Sequence, residues 1–399
     1  MIEVNFDGHY TERWRRVKEY LVQAEDPWSL IKNETQATMK ALMEKFTDHE
    51  FRNQIKANGY ERNSDREDYR NGYRRRDLRT TFGTVKNIRV PRGRKANYKF
   101  SLFKRYQRRH DEFDTAVLWA TLGGMSQKRT KEMFKGIMGN DISESTISRI
   151  LQSLDKQLKE YRRFPIVVNY KYLILDGFWI HVLEGGVLTE KCVMCAMGIT
   201  PSGESDLLGF MLIKAEAEIS IRSLLHDLYQ RGLTEVDLII HDGSKGIEAA
   251  SRWVYPYAQH QRCIFHKQMN LLQNTKNHKN KKPLIKDSQR IFKATTKSQA
   301  IKLAETFKKQ WMKKEPKAIK NFFKDFDQCL AYFSYPKDHH PWIKTTNYLE
   351  LYFKQIRRRI RPIGCFRNLS SAQRYIFGLI KIIGHKLTDI RLNSKVHTF

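Results

Sequence analysis

Three carboxylates stand out by the residues around them. Asp176 follows the apolar run "YLIL", Asp242 follows "LII", and Glu350 sits early in "NYLELYFKQIRRRIR", a stretch of helical period. Two strand-borne aspartates and a helix-borne glutamate can converge at one edge of a sheet, and hard carboxylate oxygens suit Mg²⁺ or Mn²⁺. Two such ions a few ångströms apart activate a water or a 3′-hydroxyl and stabilise the leaving oxygen of an in-line phosphoryl transfer. Taken singly, each acid has a plainer reading. Asp-Gly after a strand is an ordinary turn, and a glutamate ahead of a Lys/Arg row on a helix is an ordinary solvated acid. Sixty-six positions separate Asp176 from Asp242 and 108 separate Asp242 from Glu350, so only the fold can bring the three together.

A second cluster is "QHQRCIFHKQMNLL", where Cys263 and His266 form C-x-x-H. With the C-x-x-C of Cys192 and Cys195 it invites a zinc reading. That reading is set aside. Cys192 and Cys195 lie on an alternating strand, where positions three apart point to opposite faces, and the gap to Cys263 far exceeds finger spacing. The strand cysteines are read as core residues. Cys263 and His266 are placed near the active site, bonding a catalytic acid or a phosphate. Lys245, in "DGSKGI", is placed beside the metal, where a phosphate would lie.

The elements that must position these groups are legible in outline. Residues 1 to about 60 read as helical and polar, with "WSLIKNETQATMKALMEKF" the clearest amphipathic piece. "LRTTF" and "VKNIRV" are β-rich runs around a Gly-containing turn, a hairpin with arginine-dense flanks. From Asp111 to about Lys159 three helical stretches follow. "SQKRTKEMFKGIMG" and "SESTISRILQSL" are joined by a polar turn with Gly139 and Asn140, and Ser143 or Ser145 can cap the latter. This layout suits a helix-turn-helix, and it suits a plain helical pair as well. Next come a strand pair, a further strand, the helix "IRSLLHDLYQRG" and the strand "VDLIIHDG", which make a mixed α/β sheet. Lys267 to Pro336 is long, Lys-rich and helical, and reads as an insertion before the helix that carries Glu350.

The charge balance points to the partner. The chain has 399 residues and a formal net charge of +30. Between Phe51 and His110 there are 19 Lys and Arg against 5 Asp and Glu, and between Lys267 and Lys320 there are 16 against 3. Such clustering implies a polyanion, with nucleic acid the leading candidate. The residues assigned to DNA contact are Arg70, Arg74, Arg75, Arg76, Arg92 and Arg94 around the hairpin, and Arg357, Arg358 and Arg359 beyond Glu350. The first residues carry acids and no apolar core of a signal peptide. No apolar run approaches a membrane span, "YIFGLIKIIG" being the nearest. Five cysteines fit a reduced compartment. The expected location is therefore cytoplasmic and nucleoid-associated, with no membrane partner.

At this point the motifs, in order, resemble the mutator-type transposases of prokaryotic insertion sequences over nearly the whole chain. "YRNGYRRRDLRTTFGTVKNIRVPRGR" and "SLFKRYQRR" are similar to the family's N-terminal signature, and "GGMSQKRTKEMF…ISESTISRI" to its helix-turn-helix region. "LILDGFWIHV", "AMGITPSGESDLLGF" and "LYQRGLTEVDLIIHDGSKGI" match its catalytic strands. "PYAQHQRCIFHKQMNLL" carries its C-x-x-H, and "TTNYLELYFKQIRRRIRPIGCF" its glutamate. The aromatic face around Glu350 is bulkier than the family pattern.

The resemblance implies an RNase H-like catalytic domain with a mixed sheet and a helical insertion, preceded by a mostly helical DNA-binding region with a small β unit and a helix-turn-helix. Carried over, the triad is Asp176, Asp242 and Glu350, holding two Mg²⁺ or Mn²⁺ ions, with Cys263 and His266 in the C-x-x-H place. The expected partition is 1–110, 111–166, 167–270, 271–340 and 341–399. The expected activity is metal-dependent cleavage and strand transfer at terminal inverted repeats, by a homodimer or higher oligomer that brings two ends together. A domesticated DNA-binding regulator without catalysis, and a related nuclease or integrase, stand as alternatives.

Overall fold

The structure is a computed structural model and describes residues 26–389 apart from 63, 96–97, 105, 140 and 215–217. The N-terminal 25 residues and Asn140, both used above, lie outside the described residues. The chain divides into two compact units, Met1–Ile150 and Leu151–Phe399.

In the first unit, α1 (Pro27–Ile55) begins at Asp26, whose carboxylate accepts a bond from Ser29 N. The apolar side of α1 supplies Met39 and Met43 to a small core of Leu78, Val85, Ile88, Val90 and Phe103. These come mainly from the antiparallel hairpin β1 (Arg70–Thr80) and β2 (Gly83–Gly93). The strands run longer than "LRTTF" and "VKNIRV", because they continue through the arginines that sequence reading put in the flanks. Three helices follow, α2 (Asp111–Leu122), α3 (Gln127–Met138) and α4 (Glu144–Gln152). Of the two serines considered as a cap, Ser143 is used, its Oγ accepting from Thr146 N at 3.2 Å. The single helix expected from Ser143 onward is two, since α5 (Leu154–Arg163) starts afresh after Ser153.

The second unit is built on a five-stranded sheet in the order β5-β4-β3-β6-β7. β3 (Tyr172–Glu184), β4 (Val187–Ile199) and β5 (Ser205–Ile213) pair antiparallel, while β6 (Leu238–His241) and β7 (Gln259–Arg262) run parallel to β3. β7 escapes sequence reading because "QHQR" has no apolar signal. Its buried Gln261 instead spends its amide on the following segment, accepting from Tyr332 N and donating to Cys329 O. Leu173 and Leu175 of β3 and Cys192 and Met194 of β4 face a core shared with α6 (Glu218–Gln230) and α7 (Lys245–Val254). Both strand cysteines are buried and free. On the other face, Phe178 of β3 packs on Phe353 of α13 (Asn347–Ile360), ring centroids 4.8 Å apart. A sheet covered by helices on both faces makes Asp176 a buried residue.

Between β7 and α13 lies a helical insertion. It comprises α8 (Ile264–Asn274), α9 (His278–Phe292), α10 (Lys297–Met312), α11 (Pro316–Phe323), two 3₁₀ turns and the short α12 (His340–Ile343). Phe292, Phe307, Phe322, Phe323 and Phe326 form its aromatic centre. Buried Glu315 accepts from Lys276 N, Asn277 N and Asn280 Nδ2, and so satisfies the free amides ahead of α9. The helix of Glu350 is not the last one: α14 (Leu369–Asp389) follows it and contains "YIFGLIKIIG". Among the described residues no helix is long and apolar enough to cross a membrane.

The strand pairing beside Asp176 also fixes a glycine. A Cβ on Gly177 would lie 2.5 Å from the buried sulfur of Cys192. We predict that Gly177→Ala destabilises the chain by about 1–3 kcal/mol through overpacking, read as a fall in the thermal unfolding temperature. Pairing it with Cys192→Ala should restore most of the loss.

Candidate active site

Parallel pairing sets the geometry. Ile174 of β3 is in register with Ile240 of β6, so Asp176 stands level with Asp242, one residue past the end of β6. Asp176 therefore lies within its strand rather than at the strand's end, at the point where the neighbouring strand stops. Its Oδ1 accepts from Gly177 N at 2.9 Å, while its Oδ2 is buried with no hydrogen-bond partner. Burial pushes the carboxyl up to about 7. Asp242 and Glu350 add to the shift, and His266 and the Gly177 amide oppose it.

Glu350 arrives from α13 and His266 from α8. One ligand atom from each of Asp176, His266 and Glu350 lies within 4.8 Å of the others. Asp242 is not a member of this group: its Oδ1 accepts from Ser244 N at 2.8 Å. It is close enough for its charge to raise both the Asp176 carboxyl and the His266 imidazole. Glu350 is approached from two sides, by His266 Nε2 at 3.7 Å and by Arg357 Nη1 at 3.7 Å.

Two segments far apart in the chain are tied together by a sulfur. Cys263 is fully buried at the N-cap of α8, and its Sγ accepts from Thr346 N at 3.3 Å and from Thr346 Oγ1 at 3.6 Å. Thr346 is the N-cap of α13, so the C-x-x-H cysteine fixes the start of the glutamate's helix against the start of the histidine's. Ile264 N donates to Lys344 O and adds to the same junction. Burial works to push the Cys263 thiol up, but the neighbouring imidazole and the Thr346 amide outweigh it and hold it below its ordinary value. The thiol in turn raises His266 to about 9. The two feel each other's charge without a well-aligned hydrogen bond, and His266 Nδ1 is buried with no partner.

Residues that sequence reading did not single out complete the surroundings. His241 and His260, both buried, meet at 3.2 Å through His241 Nε2 and His260 Nδ1. Gly243 N donates to His241 Nδ1 at 3.1 Å, which puts the His241 proton on Nε2, facing His260. Burial lowers both imidazoles to about 4, so they serve as neutral supports of the Asp242 turn. Their signal was present in "IIHDG" and "QHQRC", but only pairing of β6 with β7 makes it meaningful. Thr346 carried no signal at all. The bulky aromatic face beside Glu350 turns out to be structural, with Tyr352 and Phe353 buried against the sheet side of α13.

The arginine row divides. Arg357 is on the side of Glu350 and lies over Phe178 and Phe353 at 5.8 and 5.7 Å. Arg359 turns back to Gln355 O, and Arg358 is exposed. Successive helical residues point 100° apart, so one face cannot hold all three. Lys245 is exposed on the first turn of α7.

In the first unit Arg74, Arg75, Arg92 and Arg94 are exposed. Arg74, Arg75 and Arg76 line a groove of about 1140 Å³ together with Lys32, Lys86 and Arg108. Arg76 lies over the Phe103 ring at 4.1 Å. Arg70 is committed internally, its guanidinium paired with Asp48 and 2.6 Å from Tyr73 Oη.

A donor set of two carboxylates and an imidazole, with one carboxylate oxygen of Asp176 buried and unpaired, is chemically suited to a divalent cation, Mg²⁺ or Mn²⁺ among them. Buried polar atoms without partners are otherwise costly. Comparison with known proteins defines the class. The sequence profile described as "Transposase, Mutator family" matches residues 13–385, and the chain belongs to that family, whose members cut and join DNA strands. It is 31% identical over 343 residues to the transposase of insertion sequence element IS406 from Burkholderia multivorans, covering 86% of this chain and 87% of that protein. It is 30% identical over 329 residues to the transposase of IS256 in transposon Tn4001 from Staphylococcus aureus, covering 81% and 83%. The transposase of IS905 from Lactococcus lactis is 28% identical over 312 residues, covering 78% and 79%.

A buried acid with a raised pKa costs stability once it is ionised. The folded pKa of Asp176 lies above the unfolded one, so its contribution falls as pH rises from about 4 towards 7. Asp176→Asn keeps the bond from Gly177 and removes the charge. We predict a higher unfolding temperature than wild type at pH 8 without divalent ions, an equal one near pH 4, and no further rise on adding Mn²⁺.

Proposed function

We propose that this chain is the metal-dependent DNA transposase of an insertion sequence, with an RNase H-like catalytic domain. It hydrolyses a phosphodiester at the terminal inverted repeats and then uses the freed 3′-hydroxyl to attack target DNA. The observation that carries the reading is the meeting of Asp176, His266 and Glu350 from three distant segments, one ligand atom of each within 4.8 Å of the others, with Asp176 Oδ2 buried and unpaired. A mixed sheet with one acid on its central strand, another past the end of the parallel neighbour, then a helical insertion and an acid-bearing helix supports the RNase H-like assignment.

Asp176 and Glu350 would supply oxygen donors to a divalent ion, and His266 a nitrogen. Asp242 flanks it and completes the triad on the second side, where its carboxylate is oriented by the Ser244 amide. Divalent ions bound there supply Lewis-acid stabilisation of phosphate oxygens and a nucleophile at neutral pH. His266, raised to about 9, would have to be without its proton to offer a nitrogen to such an ion. Arg357 stands beside Glu350 to meet the DNA backbone, and Lys245 lies on the helix that follows Asp242.

In the same proposal α3 and α4 form the helix-turn-helix that reads the terminal repeat. The exposed arginines around the hairpin bind its phosphates. The finer partition 1–110, 111–166, 167–270, 271–340 and 341–399 belongs to this reading, as does a homodimer or higher oligomer that pairs two ends.

Asp242→Asn should bind terminal-repeat DNA like wild type but lose Mg²⁺-dependent cleavage by about 100-fold or more, since even outer partners of metal ligands are worth 10–100-fold. Cleavage at the wild-type rate on labelled terminal-repeat DNA would overturn the assignment, and binding with no cleavage by wild type under Mg²⁺ or Mn²⁺ would favour a regulator.

For DNA affinity, Arg74→Ala and Arg75→Ala should each lower the slope of log affinity against log salt by about 1. Arg70→Ala, which breaks the pairing with Asp48, should lower the unfolding temperature with little change in slope. Equal slopes for all variants would remove the phosphate role of the hairpin.

A further inference from the structure

Behind the Asp242 turn lies a cavity of about 370 Å³ that the acid cluster does not use. One wall is the Gly243–Lys245 turn, another is Arg262 at the end of β7, and a third is α8, through Lys267 and Asn270. The segment from Asn321 to Asp325 closes it. Its volume is at the lower end of the ~300–1,000 Å³ range of small-ligand sites, suited to a single nucleotide unit.

The charge inside is unbalanced. Four cations, Lys245, Arg262, Lys267 and Lys324, line the cavity with two acids, Glu248 and Asp325. Both acids are already engaged. Glu248 accepts from Arg252 at 2.8 Å and from Gln328 at 3.0 Å, and Asp325 faces Arg262 at 3.3 Å. Lys267 is 1% exposed. Its ammonium is held by the carbonyl oxygens of Asn321 and Lys324, and no carboxylate of the described residues forms a salt bridge with it. Burial lowers the Lys267 ammonium to about 8 although the charge of Asp325 opposes the shift, and an anion beside it would offset that desolvation cost.

Two further features point the same way. Arg262 Nε is buried and has no hydrogen-bond partner. The guanidinium lies flat against Gly243, where any Cβ would collide with it, so the glycine after Asp242 is what admits an arginine to this position. On α8, Asn274 is spent on Asn321 and on Asn270 O, whereas the exposed Asn270 adds a neutral amide at the cavity wall.

We propose that this cavity is a second phosphate site, which holds a backbone phosphate of the DNA strand adjoining the bond to be cut. The inference rests on the function proposed above for the acid cluster. The Asp242–Gly243 turn borders both places, so one strand can run from the cluster into the cavity. Arg262 supplies fixed charge from the wall, Lys267 adds a buried amine that an adjoining phosphate would hold as the ammonium, and Lys245 and Asn270 close on the phosphate from the open side.

The experiment uses the full chain, terminal-repeat DNA with its flanks, and Ca²⁺ to read binding without cleavage. Each phosphate near the cleaved bond is replaced in turn by a neutral methylphosphonate. In wild type, one position should weaken binding by about tenfold, the worth of a charged hydrogen bond. In Asn270→Asp and Lys245→Ala, unmodified DNA should bind about tenfold more weakly, and the same methylphosphonate should then cost less than twofold. Both positions are exposed, and an unchanged unfolding temperature confirms that the variants fold. If no position loses its cost in the variants while wild type still cuts DNA, the cavity proposal falls and the transposase reading stands. If wild type neither cuts nor binds the repeats, both fall. Inorganic phosphate is the probe for a free-anion site: ³¹P line broadening by wild type but not by Asn270→Asp, without any coupled DNA position, overturns the assignment to DNA.

Discussion

The active-site geometry depends on a contact that is not itself chemical in role, the bonds from Thr346 to the sulfur of Cys263. These residues are separated by the whole helical insertion. Without their junction, α8 and α13 would share no fixed origin, and His266 and Glu350 would have no reason to meet. The parallel register of β3 with β6 does the same for the two aspartates. A helix-to-helix clamp and a strand register together bring side chains from four segments to one place. Each constraint ties one segment to another, which is how the site is assembled although its members are far apart in sequence.

The insertion looks at first like an interruption, but it is part of the support. Its aromatic centre and the Glu315 cap give it an interior of its own. Gln261 then joins it to the edge strand β7. That edge is covered instead of being left open, and the Arg262–Cys263–His266 run that follows it starts from an anchored strand. A long insertion here costs little closure entropy beyond that of a shorter loop, and it returns both the α8 platform and the wall of the cavity behind Asp242.

Much of this was legible in the sequence. Apolar runs ending in Asp marked β3 and β6, and helical period marked α6 and α13. The C-x-x-H was set beside the site on chemical grounds. What was not legible has a common physical cause. β7 is polar because its side chains bond to the insertion instead of joining the apolar core. Thr346 and the His241–His260 pair act only through partners that the chain brings near after folding. Taken singly, the Asp-Gly at Asp176 reads as an ordinary turn, yet the strand continues through "FWIHVLE" with β4 as its partner. The arginine row after Glu350 read as one surface, whereas the helix aims its members in separate directions.

Glu350 also has a consequence for the folding of the site. It sits between the His266 imidazole and the Arg357 guanidinium, each 3.7 Å from one of its oxygens, so the chain supplies its own counterions to the acid that α13 brings in. An acid compensated in this way can be carried into a half-buried place without the penalty of an unpaired charge. The fold thus closes around Glu350 on its own terms, before any substrate is there to organise it.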